Sequence, residues 1–246
     1  MLKISYLMAG IISCIGIGWL AYNKSWESII TATVTVLVTG IATIFAAKYG
    51  ATLAFELSAK KERDEIKNIN RADGNIAVFI LGRMITELDA YRKDCIEPNR
   101  AYEFAFLAIR PTLTIEKLKL NIEGLYFLLE TDEANLLGEL ALTEQWYRIT
   151  IDAINERSRI HREEAQPRLE KGGFIQGQTP TIKAPPLLGE RLCFILKDAT
   201  DTMIKGVDDT IDRLKLYAEQ LAKCLKKNFP EGKTIRIEIP LANKND

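Results

Sequence analysis

The only histidine of this chain, His161, stands four residues after Arg157. Positions i and i+4 share one face of an α-helix, so an imidazole able to move a proton would lie beside a guanidinium able to hold an anion. This is the best catalytic candidate the residue types offer. The neighbours Glu156, Glu163 and Glu164 support a second reading, a solvated helix end on which both side chains face water. The sequence contains no phosphate-cradling GxxxxGK, no HExxH and no GxSxG, and one histidine excludes any metal site or mechanism that needs two from one chain. Cys14, Cys95, Cys193 and Cys224 are widely scattered, without the paired spacing of zinc or redox centres. We therefore expect no metal and no cofactor, and read the last three cysteines as reduced, mostly buried thiols. The glycine-rich run Gly172 to Gly177 follows no strand and precedes prolines, which makes the stretch from Pro167 to Pro186 a loop.

The elements that would position these residues are helical. Beyond residue 50, apolar residues recur at steps of three and four: Ile66, Ile69, Ile76, Ile80, Met84, Leu88 and Tyr91 before Pro98, with a bend expected near Asp73-Gly74. Shorter apolar segments cover Arg100 to Ile109 and, with helical spacing, Leu113 to Leu129. Thr131-Asp132 predicts the cap of a helix running to about Glu164, burying Leu137, Leu140, Tyr147, Ile151 and Ile154 with Trp146 beside them. The stripe Leu196, Ala199, Met203, Val207, Ile211, Leu214, Ala218, Leu221 and Leu225 predicts a last helix from Pro186 to about Lys227. It suits either a seam within the chain or an intermolecular coiled coil. Thr234 to Ile239 alternates and ends at Pro240, as an edge strand or extended tail whose partner is the chain itself or a neighbour. The 33 basic and 33 acidic residues cancel, which argues against direct nucleic-acid binding.

The first fifty residues differ from everything after them. Ile4 to Tyr22 and Ser28 to Ala47 carry no charge, and each is long enough as a helix to cross the roughly 30 Å of bilayer hydrocarbon. The expectation is a transmembrane hairpin, residues 1–50, followed by a cytoplasmic helical domain, 51–233, and an extended tail, 234–246. The fold class is all-α. Lys3 precedes the first run and Lys48, Lys60, Lys61, Arg63 and Lys67 follow the second, which places both ends on the cytoplasmic side of the membrane. Tyr6, Trp19, Tyr22 and Trp26 fall at the expected interfaces, and Lys60, Lys61 and Arg63 suit headgroup contact. Small residues Gly10, Cys14 and Gly18 repeat every four positions in the first run, as do Thr31, Thr35, Thr39 and Thr43 in the second, beside Gly40. These are faces along which helices approach closely, either within one hairpin or between copies. No ionisable residue lies inside either run, so the usual mark of a proton relay or ion-coupled transporter is missing.

In arrangement, residues 1 to about 50 and the helical remainder resemble the two-helix membrane effectors of bacterial antiphage systems, including some retron effectors. The resemblance implies a non-enzymatic protein whose release or oligomerisation perturbs the inner membrane, with the lipid bilayer, further copies or a soluble regulatory complex as partners. It carries no functional residue. The same residues fit a membrane-anchored scaffold or receptor for a soluble partner. Arg157 and His161 also resemble the arginine–histidine pair of HEPN-type ribonucleases, with Ser158 as the polar residue after the arginine. That resemblance implies a membrane-tethered ribonuclease, although here only three residues separate the pair, a departure from the family's spacing.

Overall fold

The structure, a computed structural model, describes residues 26–174, 184–233 and 235. Gly10, Cys14, Gly18, Tyr6, Trp19 and Tyr22 lie outside the described residues, as does the tail apart from Ile235. The described residues are mostly helical and contain no strand. In chain order they form α1 (Trp26–Tyr91), a π-helical turn (Arg92–Ile96), a 3-10 turn (Glu97–Asn99), α2 (Ala105–Ala108), a 3-10 helix (Glu123–Glu130), α3 (Ala134–Ile160), a second π-helical turn (His161–Ala165), α4 (Gln166–Lys171), α5 (Ala184–Leu188) and α6 (Glu190–Asn228).

The chain divides into two units, residues 1–65 and 66–246. In the first, α1 is long and apolar enough to cross a membrane, and its large apolar side chains from Ile30 to Leu57 are all exposed. Helical hydrogen bonding satisfies every backbone group along such a segment, which is what lipid demands. Two of its threonines bond locally. Thr35 Oγ1 donates to the Thr31 carbonyl at 2.8 Å, and Thr43 Oγ1 to the Thr39 carbonyl at 2.7 Å. Both hydroxyls are thus satisfied by the preceding turn of their own helix. A Cβ at Gly40 would meet nothing. Lys60, Lys61 and Arg63 are exposed, Arg63 Nε donating to the Ala59 carbonyl at 3.2 Å.

The second unit is a helical bundle in which the last part of α1 packs with α3 and α6. Its main core joins Leu81, Met84 and Leu88 of α1, Leu140, Tyr147 and Ile151 of α3, and Met203, Val207, Ile211 and Leu214 of α6. The three-and-four stripe of the last helix is therefore a seam within the chain. Polar contacts cross the same seams: Thr150 and Thr210 hydroxyls lie 2.8 Å apart between α3 and α6, and Tyr147 Oη donates to Glu87 of α1 at 2.5 Å. A second, smaller core gathers Phe106, Leu107, Ile160, Leu169, Leu188 and Leu196.

Several sequence expectations shift. The bend at Asp73-Gly74 does not form: α1 continues through it, because Gly74 is where Leu225 of α6 closes on the helix. A Cβ there would sit 2.3 Å from Leu225 Cδ2. The last helix starts at Glu190 rather than Pro186, since Gly189 adopts φ +80°, a conformation that ends α5 and separates it from α6. Leu136 rather than Leu137 fills the first core position of α3, and Trp146 is 45% exposed with the Arg213 guanidinium 5.4 Å from its ring centre. Thr131 does serve the start of α3, its Oγ1 accepting from the Glu133 N–H at 3.2 Å. The expected helix across Leu113 to Leu129 forms only as the 3-10 helix Glu123–Glu130, and residues 110–121 carry no helix at all. Pro111 and the β-branched Thr112, Thr114 and Ile115 disfavour a helix there.

The close approach at Gly74 yields a direct test. Gly74→Ala gains intrinsic helix propensity but drives a methyl group into Leu225, which is fully buried and held by its neighbours. Overpacking of this kind costs typically about 1–3 kcal/mol against a propensity gain of about 1 kcal/mol. We expect a lower melting temperature for the detergent-solubilised full chain, measured by circular dichroism.

Candidate functional site

Arg157 and His161 do share one face of a helix, and that face is turned inward. Arg157 is 0% exposed and His161 7%, which overturns the solvated-helix-end reading. Glu156 and Glu163 remain outside, bridging Arg159 at 2.7 and 2.9 Å. The physical reason lies in what faces the pair. The short helix α2 ends with backbone carbonyls that have no partner further along the chain, and the two side chains reach them. Arg157 Nη2 donates to the Phe106 carbonyl at 2.9 Å and to the Ile109 carbonyl at 2.5 Å, while Nε donates to Thr200 Oγ1 of α6 at 3.3 Å. His161 Nε2 lies 3.4 Å from the Leu107 carbonyl. A carbonyl oxygen only accepts, so Nε2 carries the proton and Nδ1 is the bare nitrogen. Arg157 Nη1 and His161 Nδ1 are both buried without a protein partner.

Burial sets the electrostatics. Removal from water pulls the Arg157 guanidinium down to about 10. Burial, and then the nearby Arg157 charge, pulls His161 from its ordinary 6.5 down to about 4, so the imidazole is neutral at physiological pH. Tyr91, whose Oη donates to Met203 Sδ at 3.2 Å, is pushed up to about 12 by burial and stays a phenol. The Cys95, Cys193 and Cys224 thiols are free and are raised by burial, which makes them unreactive rather than nucleophilic. Among the described residues no cluster of histidine, cysteine or acidic side chains could hold a metal ion.

Sequence reasoning missed the rest of this arrangement. Along α3, Asn155, Ser158 and Arg162 hold the extended segment that follows α2. The Asn155 amide accepts from the Ile115 N–H at 2.9 Å and donates to the Ile115 carbonyl at 3.1 Å. Ser158 Oγ accepts from the Thr112 N–H at 3.2 Å, and Arg162 donates to the Thr112 carbonyl. Lys117 and Asp152 close the row at 2.6 Å. The only signal in the sequence was polar residues at steps of three and four, Asp152, Asn155, Ser158 and Arg162, which reads equally as a solvated face. The helix thus supplies by side chain the backbone partners that residues 110–121 lack. This is anchoring chemistry: the pair and its neighbours fasten α2 and the following strap to the bundle.

Of the membrane-directed residues, Trp26 opens α1, while Thr31, Thr35, Thr39, Gly40 and Thr43 lie along it. Comparison with protein-family models, with curated proteins and with solved structures finds no match for this chain.

The depressed His161 fixes a pH dependence. Above pH 6.5 folded and unfolded chains both hold it neutral; below, the unfolded chain takes up a proton that the folded chain refuses until about pH 4. Stability is therefore complete above 6.5 and falls as pH drops towards 4, by on the order of 3 kcal/mol. His161→Gln retains a donor for the Leu107 carbonyl without the titration. We expect this variant to lose that part of the acid sensitivity between pH 6.5 and 4 in denaturant melts of the solubilised chain.

Proposed function

We propose that this chain is a non-enzymatic membrane effector: a bilayer-inserted helical segment carrying a helical bundle, whose release or oligomerisation perturbs the inner membrane. The observation that carries membrane insertion is the exposure of all the large apolar residues from Ile30 to Leu57 on α1. An apolar surface of that length has a favourable environment in lipid and none in water. The proposed topology adds the run Ile4 to Tyr22 as a second span, with both termini cytoplasmic. The inward placement of Arg157 and His161 supports the non-enzymatic reading, because both side chains are engaged with backbone carbonyls and neither is presented to a substrate. For the same reason it weakens the ribonuclease reading. The arrangement resembles that of the antiphage membrane effectors, and an inner-membrane action in antiviral defence is part of the proposal.

A specific observation favours a second reading, a membrane-anchored scaffold. Leu142, Trp146 and Ile149 stand on α3 at steps of four and three, 51, 45 and 49% exposed, and Leu216 of α6 is 49% exposed. Large apolar side chains in such a row are what a recruited partner would cover.

One pair of variants separates the two. Val38→Arg places a charge in the middle of the apolar run, which opposes insertion by about 2.5–3.5 kcal/mol. Inducible expression of the unaltered chain is expected to collapse the signal of a membrane-potential dye, and Val38→Arg to abolish that effect. A native chain that leaves potential and growth unchanged after removal of any repressing partner would overturn the effector reading. Trp146→Glu is expected to leave the dye response intact if the chain is an effector, and to abolish partner recruitment without touching membrane attachment if it is a scaffold.

A further inference from the structure

Two polar atoms of the anchoring layer are left over once its hydrogen bonds have been made. Arg157 is 0% exposed and His161 7%, yet among the described residues nothing bonds Arg157 Nη1 or His161 Nδ1. Polar groups so deeply buried almost always have a partner, in protein or in ordered water. The two residues stand one helical turn apart on one face, at the end of α3 and the start of the π-helical turn that continues it. Their bonded atoms converge as well. Arg157 Nη2 reaches the Phe106 carbonyl, and His161 Nε2 the carbonyl of the next residue, Leu107. Each leftover nitrogen is two covalent bonds from one of these bonded atoms, which brings both within reach of one small molecule.

Their chemistry is opposite. Nη1 of a charged guanidinium only donates, whereas Nδ1 only accepts, because Nε2 carries the imidazole proton. A halide or carboxylate suits Arg157 but sets its lone pairs against the lone pair of Nδ1. A cation suits Nδ1 but is repelled by Arg157. No carboxylate of the chain competes for Nη1: the ionisable groups that act on Arg157 are Tyr91 and Cys95, which burial keeps protonated. What satisfies both nitrogens is a neutral hydroxyl that accepts from one and donates to the other. Water is the hydroxylic molecule small enough for a layer with an apolar core on either side, and two partners fall within the usual two to four of an internal water.

We propose that one buried water bridges Arg157 and His161, accepting a hydrogen bond from Arg157 Nη1 and donating one to His161 Nδ1. The bridge joins two separate grips on the end of α2 into a single network. It also holds the imidazole in the tautomer that the Leu107 carbonyl requires, since a donor at Nδ1 keeps the proton on Nε2.

The chain's only histidine is its own reporter. In the full chain in nanodiscs, labelled with 15N,13C-histidine, magnetic resonance at neutral pH is expected to show cross-relaxation between water and the carbon-bound ring protons. The proton is expected on Nε2, with the Nδ1 resonance moved upfield from that of an unbonded imine nitrogen. A ring without the water signal, an Nδ1 at the unbonded position or a proton on Nδ1 would overturn the bridge. Bromide added at constant ionic strength is expected to leave both nitrogen resonances in place. A saturable shift would make the occupant an anion and overturn the proposal. Arg157→Lys keeps the charge but withdraws Nη1, and is expected to weaken the water signal about tenfold. An undiminished signal would remove Arg157 from the bridge and overturn it. The measurements on the native chain decide the matter whether or not this variant folds.

Discussion

The bundle is organised around a guanidinium held where no carboxylate meets it. Arg157 bonds the carbonyl of Phe106, a residue of the smaller apolar core, and the carbonyl of Ile109, a residue of the larger one. Its third contact, Thr200, sits on α6 between Leu196 of the smaller core and Met203 of the larger. A polar layer one side chain thick thus separates two greasy compartments and joins three segments of chain. Burying a charge is costly unless its hydrogen bonds are made, and here backbone carbonyls of a short helix end accept two of the three that Arg157 makes, while Nη1 has no protein partner. In return the guanidinium satisfies acceptors that α2, with only four residues, cannot satisfy itself. Each partner offsets part of the other's burial penalty, so the layer is stable only as a whole.

What could be read from the sequence follows from which forces leave a periodic trace. Apolar burial against a helix repeats every three or four residues, so Met203, Val207, Ile211 and Leu214 announced the buried stripe of α6 directly, but not whether its cover comes from the same chain. The strap over residues 110–121 left no trace, because side chains of α3 hold it by hydrogen bonds, and Asn155 or Ser158 look the same whether they bond a neighbour or water. Arg157 misled for a related reason. Charged residues are rarely buried, and the glutamates around it belong to the solvent side of the same turn. Gly74 carried two readings, a weak point in a helix or a place of close contact, and only the position of Leu225 decides between them. The catalytic interpretation of Arg157 with His161 rested on residue type and spacing, which the fold uses for anchoring.

The two units solve their polar accounting differently. In the apolar part of α1, Thr35 and Thr43 return their hydroxyls to the carbonyl four residues earlier, so these polar side chains need no outside partner. In the bundle, Thr150, Thr210, Tyr147 and Glu87 bond across helices and tie the packing together. Local satisfaction suits a surface facing lipid or a neighbour of any kind, whereas cross-helix bonds specify one arrangement.

The self-sufficiency of those threonines bears on the order of events during biosynthesis. The charge-free run of α1 is complete once Ala47 has been made, but the larger core cannot close until Leu225 has left the ribosome. A segment whose Thr35 and Thr43 hydroxyls are already bonded to its own carbonyls is ready for the translocon while the 178 residues from Lys48 to Leu225 are still untranslated. On the proposed topology the nascent chain would be tethered first and folded second. Chaperones would then meet the bundle only as a half-made domain growing at a membrane surface.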